Sequence, residues 1–198
     1  MISVDRLDPG AISIAPVTSQ RWADLVALFG PERGGHGGCW CQWFRLFRPD
    51  YEALDRGGRK ARFADLVERG PPPGVLAYNE DEPVGWCAVS PRAEQPRLDK
   101  GRVSKRLKGD DYGRIWVITC LFVDPAWRRR GLMRPLIAGA VDLARNQGAR
   151  HVEAYPMIPG PKTGNADLYV GQLDAFLDCG FRQLARPLPQ RAVVRRAL

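Results

Sequence analysis

Residues 121–133 constrain the fold more than any other part of the chain. They begin inside a continuous apolar run, Ile115–Val123, which is typical of a strand buried on both faces. A basic turn and an amphipathic pattern follow, with a proline at position 135. Because Pro135 is tolerated only in the first turn of a helix, we expect the helix to start near Met133 or Arg134. The segment therefore predicts a buried strand that leads through a tight turn into a helix.

The turn between this strand and helix has the composition of a phosphate-binding loop. The first turn of a helix leaves about four backbone N–H groups without partners, and its dipole favours negative charge. Gly131 allows close approach of a ligand to the backbone, and Arg128, Arg129 and Arg130 add positive charge and donors. The turn therefore predicts a site for a phosphate or a pyrophosphate.

The hydrophobic pattern of the remaining chain predicts a mixed α/β fold. Apolar alternation or short apolar runs predict strands at Ile12–Pro16, 75–78, 84–89, 151–155 and 191–195. Helical spacing predicts helices at 22–29, at 59–69, from near Met133 to Gly148, and at 169–179. The polar and basic stretch 92–114 predicts a loop or a short helix.

The formal net charge of +8 predicts an attraction for anions, which include nucleic acid, anionic membranes and polyphosphate cofactors. The longest apolar run is far shorter than the ~20 residues that span a bilayer. The N-terminus has no basic region followed by an apolar stretch, as a secretory signal would. The basic stretch 102–108 matches no nucleic-acid-binding module. We therefore expect a cytoplasmic protein without a membrane or nucleic-acid partner.

The five cysteines are an odd number in a chain without an export signal, and this predicts reduced thiols. Cys39 and Cys41, with His36 nearby, are the one group that suggests a metal. Zinc requires four ligands, and the sequence has no second Cys or His pair to complete the set. The prediction is that the protein has no metal site.

Residues 121–133 resemble the cofactor-binding segment of the GCN5-related N-acetyltransferase (GNAT) superfamily. That superfamily has Q/R-x-x-G-x-G/A after a strand that ends in L-x-V-x-P. The matching positions are Leu121, Val123, Pro125, Arg128 and Gly131. Met133 occupies the position where the superfamily usually has Gly or Ala, and Cys179-Gly180-Phe181 resembles its frequent L-G-F ending.

The resemblance implies a mostly antiparallel central sheet flanked by helices, in one acyl-CoA N-acyltransferase domain over residues 1–198. It also implies acetyl-CoA as the cosubstrate. Backbone amides from Arg129 to Arg134 would hold its pyrophosphate, and the strand backbone would pair with its pantetheine arm. The implied cofactor-binding residues are Leu121, Phe122, Val123, Arg128, Arg129, Arg130, Gly131, Leu132, Met133 and Arg134.

Three further stretches are similar to features of a bacterial branch of this superfamily. They are Gly38-Cys39-Trp40-Cys41, Val152-Glu153-Ala154-Tyr155-Pro156 and Tyr169-Val170-Gly171. The aromatic stretch after Gly38 is either a wall of the acceptor site or part of the core. The branch does not identify the acceptor.

The resemblance also directs attention to the proton donor. The superfamily often uses a tyrosine on the last helix as the acid, and Phe176 stands at that position here. Tyr169 and Tyr155 are the available replacements, and Glu153 is the carboxylate that fits a general base, although each also fits an ordinary packing role.

The predicted activity is transfer of an acetyl group from acetyl-CoA to a primary amine by direct attack. The acceptor would be a small molecule or a peptide, and the protein would be a monomer or a homodimer. Phe176 motivates one alternative, an acetyl-CoA-binding sensor with little catalytic activity. The basic charge motivates another, nucleic-acid binding.

Overall fold

The computed structural model describes residues 12–30, 34–35, 37–105, 111–161 and 163–198. The strands are β1 (Ile12–Pro16), β2 (Gly74–Asn79), β3 (Glu82–Pro91), β4 (Ile115–Val123), β5 (His151–Ala154), β6 (Arg182–Leu188) and β7 (Arg191–Ala197). The α-helices are α1 (Trp22–Phe29), α2 (Arg48–Ala53), α3 (Arg56–Arg69), α4 (Met133–Asn146) and α5 (Leu173–Asp178). In the described part of the stretch 92–114, short 3-10 turns lie at Arg92–Glu94, Pro96–Lys100 and Tyr112–Arg114, which agrees with the predicted loop or short helix.

The strands form one seven-stranded sheet in the order β1-β2-β3-β4-β5-β7-β6. All neighbouring strands are antiparallel except β4 and β5, which are parallel. The β4–β5 ladder covers only four positions, Ile115–Ile118 against His151–Ala154. Beyond Ile118, β4 continues without β5 beside it. The sheet is therefore mixed and mostly antiparallel, as expected. The line between β4 and β5, along which the two strands separate, is here called the seam.

The two faces of the sheet carry different helices. One face, here called the α4 face, packs Trp116, Ile118 and Leu121 of β4 against α4 and α5. The opposite face, here called the α1 face, is covered over β2 and β3 by α1 and α3, with Phe63 and Trp86 in its interior. Burial of both faces explains why β4 reads as a continuous apolar run rather than as an alternation.

The predicted start of α4 is confirmed, because the helix begins at Met133 and has Pro135 in its first turn. Its buried side, which includes Leu136, Ile137 and Val141, packs on the sheet. After the helix, Gly148 adopts a φ of 80°, which lets the chain reverse toward β5. Strand and helix are thereby held in fixed relation to the turn between them.

One predicted helix is wrong, and the prediction omits two elements, the short helix α2 and the strand β6. The predicted helix 169–179 is split into a 3-10 turn, Asn165–Val170, and α5. The break is at Gly171, whose φ of 78° is incompatible with a continuous helix. The strand β6 was not predicted, because this edge strand is largely exposed and its sequence does not alternate. His36 and residues 106–108 of the basic stretch lie outside the described residues.

Within the described ranges, no helix combines the length and the apolar character that a bilayer span requires.

Candidate active site

A cleft of about 1030 Å³ opens where β4 ends and α4 begins. Its walls are the end of β4, the basic turn, the first turn of α4 and residues from the segment 168–175. Nine of the ten residues predicted to hold the cofactor line this cleft: Leu121, Val123 and the seven from Arg128 to Arg134. The exception is Phe122, whose ring packs on Phe29 on the α1 face, with centroids 5.5 Å apart. Phe122 can contribute its backbone to the cleft but not its side chain.

The backbone of the turn is shaped to receive an anion. Arg129 and Gly131 have positive φ angles of 63° and 94°. Alternation of left-handed and ordinary residues turns successive N–H groups toward one side, which is the geometry of an anion-binding nest. Within the described chain, the N–H groups of Gly131, Leu132 and Met133 donate to no other residue. A Cβ atom added at Gly131 would meet nothing within 4 Å, so this residue faces open space.

The arginine side chains of the turn are held in place by different partners. Arg128 donates from Nε to the carbonyl of Val123 at 3.1 Å. The guanidinium of Arg130 lies 4.8 Å from the Trp127 ring centroid. These contacts fix the turn against β4 and leave its positive charge at the mouth of the cleft.

The first turn of α4 is tied to the segment that forms the other wall. Arg134 donates from Nε to Asp178 at the end of α5 at 2.7 Å. Met133, at the position where the motif usually has Gly or Ala, accepts a hydrogen bond on its sulfur from the Gln172 N–H at 3.4 Å. The departure at Met133 therefore adds a contact between the two walls and does not block the turn.

Tyr169 lies where the cleft meets the seam between β4 and β5. It lines the cleft, and its ring stacks on Phe44 with centroids 6.5 Å apart. Burial raises the pKa of its phenol, while the guanidinium of Arg191 lowers it, and the thiols of Cys120 and Cys39 are close enough to influence it. The Cys120 side chain packs on the α1 face. Tyr169 thus connects the cleft on one side of the sheet with groups on the other.

Glu153 and Tyr155 lie away from the cleft. Glu153 is 1% exposed and accepts a hydrogen bond from Arg195 Nε at 3.1 Å. The Tyr155 hydroxyl donates to the same carboxylate, and burial raises the pKa of this tyrosine well above its usual value. Arg92 faces the Tyr155 ring at 6.0 Å from its centroid. These two predicted catalytic residues belong to a buried ionic network, and neither lines the cleft.

Phe176 occupies the helix position where the sequence led us to expect an acid. Its ring is fully buried and packs edge-on against Phe181, with centroids 5.1 Å apart. The ring also approaches Gly171 so closely that a Cβ atom there would lie 2.6 Å from it. The helix position expected for the acid is filled by apolar packing, so another group has to supply the proton.

The aromatic stretch after Gly38 divides between core and surface. Trp40 is 1% exposed and packs on Phe29, so it is a core residue. Trp40 and Cys41 both have positive φ angles, 42° and 49°, which L residues rarely adopt. Trp86 donates to the Cys41 sulfur at 3.0 Å. Of this stretch, Phe44 is the residue that stacks on Tyr169.

We predict that Cys39 and Cys41 are reduced, metal-free and slow to react with thiol reagents. Their mutual hydrogen bond raises the pKa of Cys39, and burial raises the pKa of Cys41, so less thiolate is present near pH 8 than for a free thiol. Modification by a disulfide reagent at pH 8 should be at least about tenfold slower in the native than in the unfolded protein. In the ranges that the structure describes, no group of three or more potential ligands could hold a metal. Stoichiometric zinc, or equally fast modification of native protein, would contradict the prediction.

Comparison with known proteins gives a consistent result. The sequence model of the acetyltransferase (GNAT) family matches residues 40–162. No curated protein sequence matches the chain at a significant level. Among solved structures, YncA of Salmonella typhimurium with its cofactor acetyl-CoA is 16% identical, with 95% of this chain and 94% of that chain covered and a TM-score of 0.55.

Two further structures have the same fold. The ribosomal-protein-alanine N-acetyltransferase of Brucella melitensis is 16% identical over 94% of this chain and 99% of its own, with a TM-score of 0.54. The PaiA N-acetyltransferase of Thermoplasma acidophilum, in complex with coenzyme A, is 10% identical over 94% and 98% of the two chains, with a TM-score of 0.52. At these identities the likeness shows the fold.

Proposed function

The chain belongs to the acetyltransferase (GNAT) family and is an acetyl-CoA-dependent acyltransferase, and we propose that it transfers the acetyl group to a primary amine by direct attack. The observation that carries the proposal is that Tyr169 lines the same cleft as the part of β4 that continues beyond β5. A thioester bound along β4 would bring its sulfur to this region. No enzyme nucleophile is required, because the amine attacks the thioester carbonyl itself.

The cofactor residues proposed above fit the chemistry of acetyl-CoA. The nest at Arg129 and Gly131 offers backbone donors to a pyrophosphate, and the dipole of α4 adds partial positive charge. The outer half of β4, from Leu121 to Val123, offers backbone groups without a β5 partner to an amide-containing arm. Separate parts of the cleft would thus recognise the nucleotide end and the acyl end of acetyl-CoA.

Two protons have to move during the reaction. An amine with a pKa of about 10.4 is neutral in only about one molecule in 2,500 at pH 7, so it needs a proton acceptor before attack. The new C–N bond forms as the C–S bond breaks, and the departing sulfur takes up a proton. Tyr169 is protonated at neutral pH, because burial raises its pKa, and it is the donor that we propose.

Glu153 is a weaker candidate for the base than the sequence suggested. Its carboxylate is already engaged by Arg195 and by the Tyr155 hydroxyl, and it does not line the cleft. We therefore assign Glu153 and Tyr155 to support of the sheet next to the seam. Water in the acceptor site is the proposed route for the amine proton, and positioning of the two substrates supplies most of the rate.

The remaining features of the proposal are finer. The acceptor is a small molecule or a peptide amine, and the protein works as a monomer or a homodimer without nucleic acid. We propose that residues 1–198 belong to a single acyltransferase domain. Resemblance of the Gly38–Cys41, Glu153–Pro156 and Tyr169–Gly171 stretches supports membership of a bacterial branch of the superfamily.

The proposal is tested with the intact protein in two steps. Titration calorimetry at low salt should detect acetyl-CoA binding. Release of the CoA thiol should then depend on an added amine, measured over a panel of amines against an amine-free control. Binding without amine-dependent release over the whole panel would favour the alternative of a sensor, and an absence of binding would remove both.

A further inference from the structure

The proposed donor, Tyr169, has an arginine beside it that the proposed reaction does not use. Arg191 is the first residue of β7 and forms an isolated bridge with Met157, just beyond the end of β5. Its guanidinium is close enough to the Tyr169 phenol to lower its pKa. Its Nε is shielded from solvent and donates no hydrogen bond to any residue in the described part of the chain. Arg191 is therefore next to Tyr169 and just beyond the end of β5, although it is not itself among the residues that line the cleft.

Among the residues that the structure describes, no carboxylate forms an ion pair with Arg191 to balance its positive charge. Three arginines of the described chain with little side-chain exposure do have such partners: Arg195 pairs with Glu153, Arg92 with Asp99, and Arg45 with Glu94. No ion pair of this kind involves Arg191 among the described residues. The strongest electrostatic influences on the adjacent phenol are Arg191 and two thiols. The site beside Tyr169 is thus positively charged.

We propose that the acceptor amine carries a carboxylate, and that Arg191 binds this carboxylate and orients the amine toward the thioester. The inference rests on the proposed function. A shielded guanidinium with an unused donor gains most from an anion that satisfies both its charge and its hydrogen bonds. A single uncompensated cation matches a monoanion, and the planar fork of arginine matches a carboxylate.

The neighbouring residues restrict the acceptor further. The stacked rings of Phe44 and Tyr169 provide an apolar wall next to the guanidinium. An acceptor with additional positive charges, such as a polyamine, would meet repulsion from Arg191. The site therefore favours small amino acids over polyamines and over lysines in basic peptides.

The test compares pairs of acceptors that differ only in the carboxylate. Free α-, β- and γ-amino acids, including phenylalanine, are each assayed beside the corresponding carboxamide, with acetyl-CoA saturating. We expect the wild-type kcat/KM to be about ten- to a hundredfold higher for the free acid of at least one pair, as for a hydrogen bond to a charged group. In Arg191→Met, this ratio should be about ten- to a hundredfold lower than in the wild type, and Arg191→Lys should retain part of it because the charge remains.

The ratio within one pair removes any effect of the substitution that acts through Tyr169, because both acceptors share the same proton donor. Arg182→Met is the matched control, since Arg182 is an exposed residue on the adjacent strand β6, and it should keep the wild-type ratio.

Two outcomes overturn the inference while the proposed function stands. One is that carboxamides or polyamines are the preferred acceptors of the wild type. The other is that the preference for the acid persists in Arg191→Met. If acetyl-CoA does not bind or no amine in the wide panel is acetylated, the proposed function itself fails, and the inference fails with it.

Discussion

Replacement of Gly131 by aspartate is expected to weaken acetyl-CoA binding by at least about a hundredfold, or about 2.8 kcal/mol. Gly131 has a φ of 94° and faces open space in the turn where we place the pyrophosphate. A side chain there would project toward the ligand, and a carboxylate would place negative charge against it. It would also use the unpaired N–H groups of the turn for itself. Titration calorimetry of the variant measures the effect directly.

The matched control for this prediction is Gly131→Asn. Asparagine has nearly the same shape and tolerates the left-handed region about as well as aspartate, but it carries no charge. The difference between the two variants therefore isolates the electrostatic part of the effect. We expect Gly131→Asn to lose about tenfold or less in affinity, as for loss of close approach alone. Wild-type affinity in Gly131→Asp would show that the pyrophosphate binds elsewhere.

Replacement of Tyr169 by phenylalanine is expected to lower kcat by about ten- to a hundredfold, at or below the lower end of the ~10²–10⁴-fold range that general acids contribute. Acetyl-CoA affinity should be nearly unchanged, because only a hydroxyl is removed. The effect is limited because thiols titrate near pH 8.5, so the departing thiolate is a fairly stable anion. Steady-state kinetics with a working acceptor, together with calorimetry, separate the two quantities.

The pH dependence supplies a second check on Tyr169. Burial raises its pKa above the ordinary value of about 10, so the phenol keeps its proton through neutral and mildly alkaline pH. If the phenol is the donor, its deprotonation should not reduce the wild-type kcat until the pH exceeds about 10. The loss of rate in Tyr169→Phe should accordingly be nearly constant between pH 7 and 9.

The control for Tyr169 is the same substitution at Tyr155. Tyr155→Phe removes the hydrogen bond to the buried Glu153 carboxylate, which should cost about 1–3 kcal/mol of unfolding free energy with little change in kcat. A fully active Tyr169→Phe with an inactive Tyr155→Phe would place the donor on the strand. Full activity of both would leave water as the donor.

The sequence was sufficient to predict the central part of this fold because its signals are local. An apolar run, a basic turn with one glycine and a proline in the first helical turn lie within about twenty consecutive residues. Each has a direct consequence for backbone geometry, and β4, the turn and α4 have the predicted order and bounds. The edge strand β6 gave no comparable signal, because an exposed edge does not require alternation.

The acceptor side was less accessible to sequence reasoning. Arg191 and Tyr169 are 22 residues apart, and they meet only because β7 pairs with β5 and the segment 165–170 folds beside β4. Similarly, Glu153 lies in the predicted strand, but its engagement by Arg195 depends on the register between β5 and β7. The pairing of strands that are distant in the sequence therefore determines which candidate residue is available for chemistry.

The short β4–β5 ladder has a consequence for the kinetics of the enzyme. The sheet separates after four paired positions, so an extended ligand can enter beside β4 without first breaking hydrogen bonds between strands. Binding energy is then not consumed in opening the protein, and association need not wait for a rare open state. We expect the spent thiol to leave by the same route, again without a break in the hydrogen bonds between strands. We therefore expect turnover to be limited by chemistry or by the departure of ligands, without a large movement of the sheet.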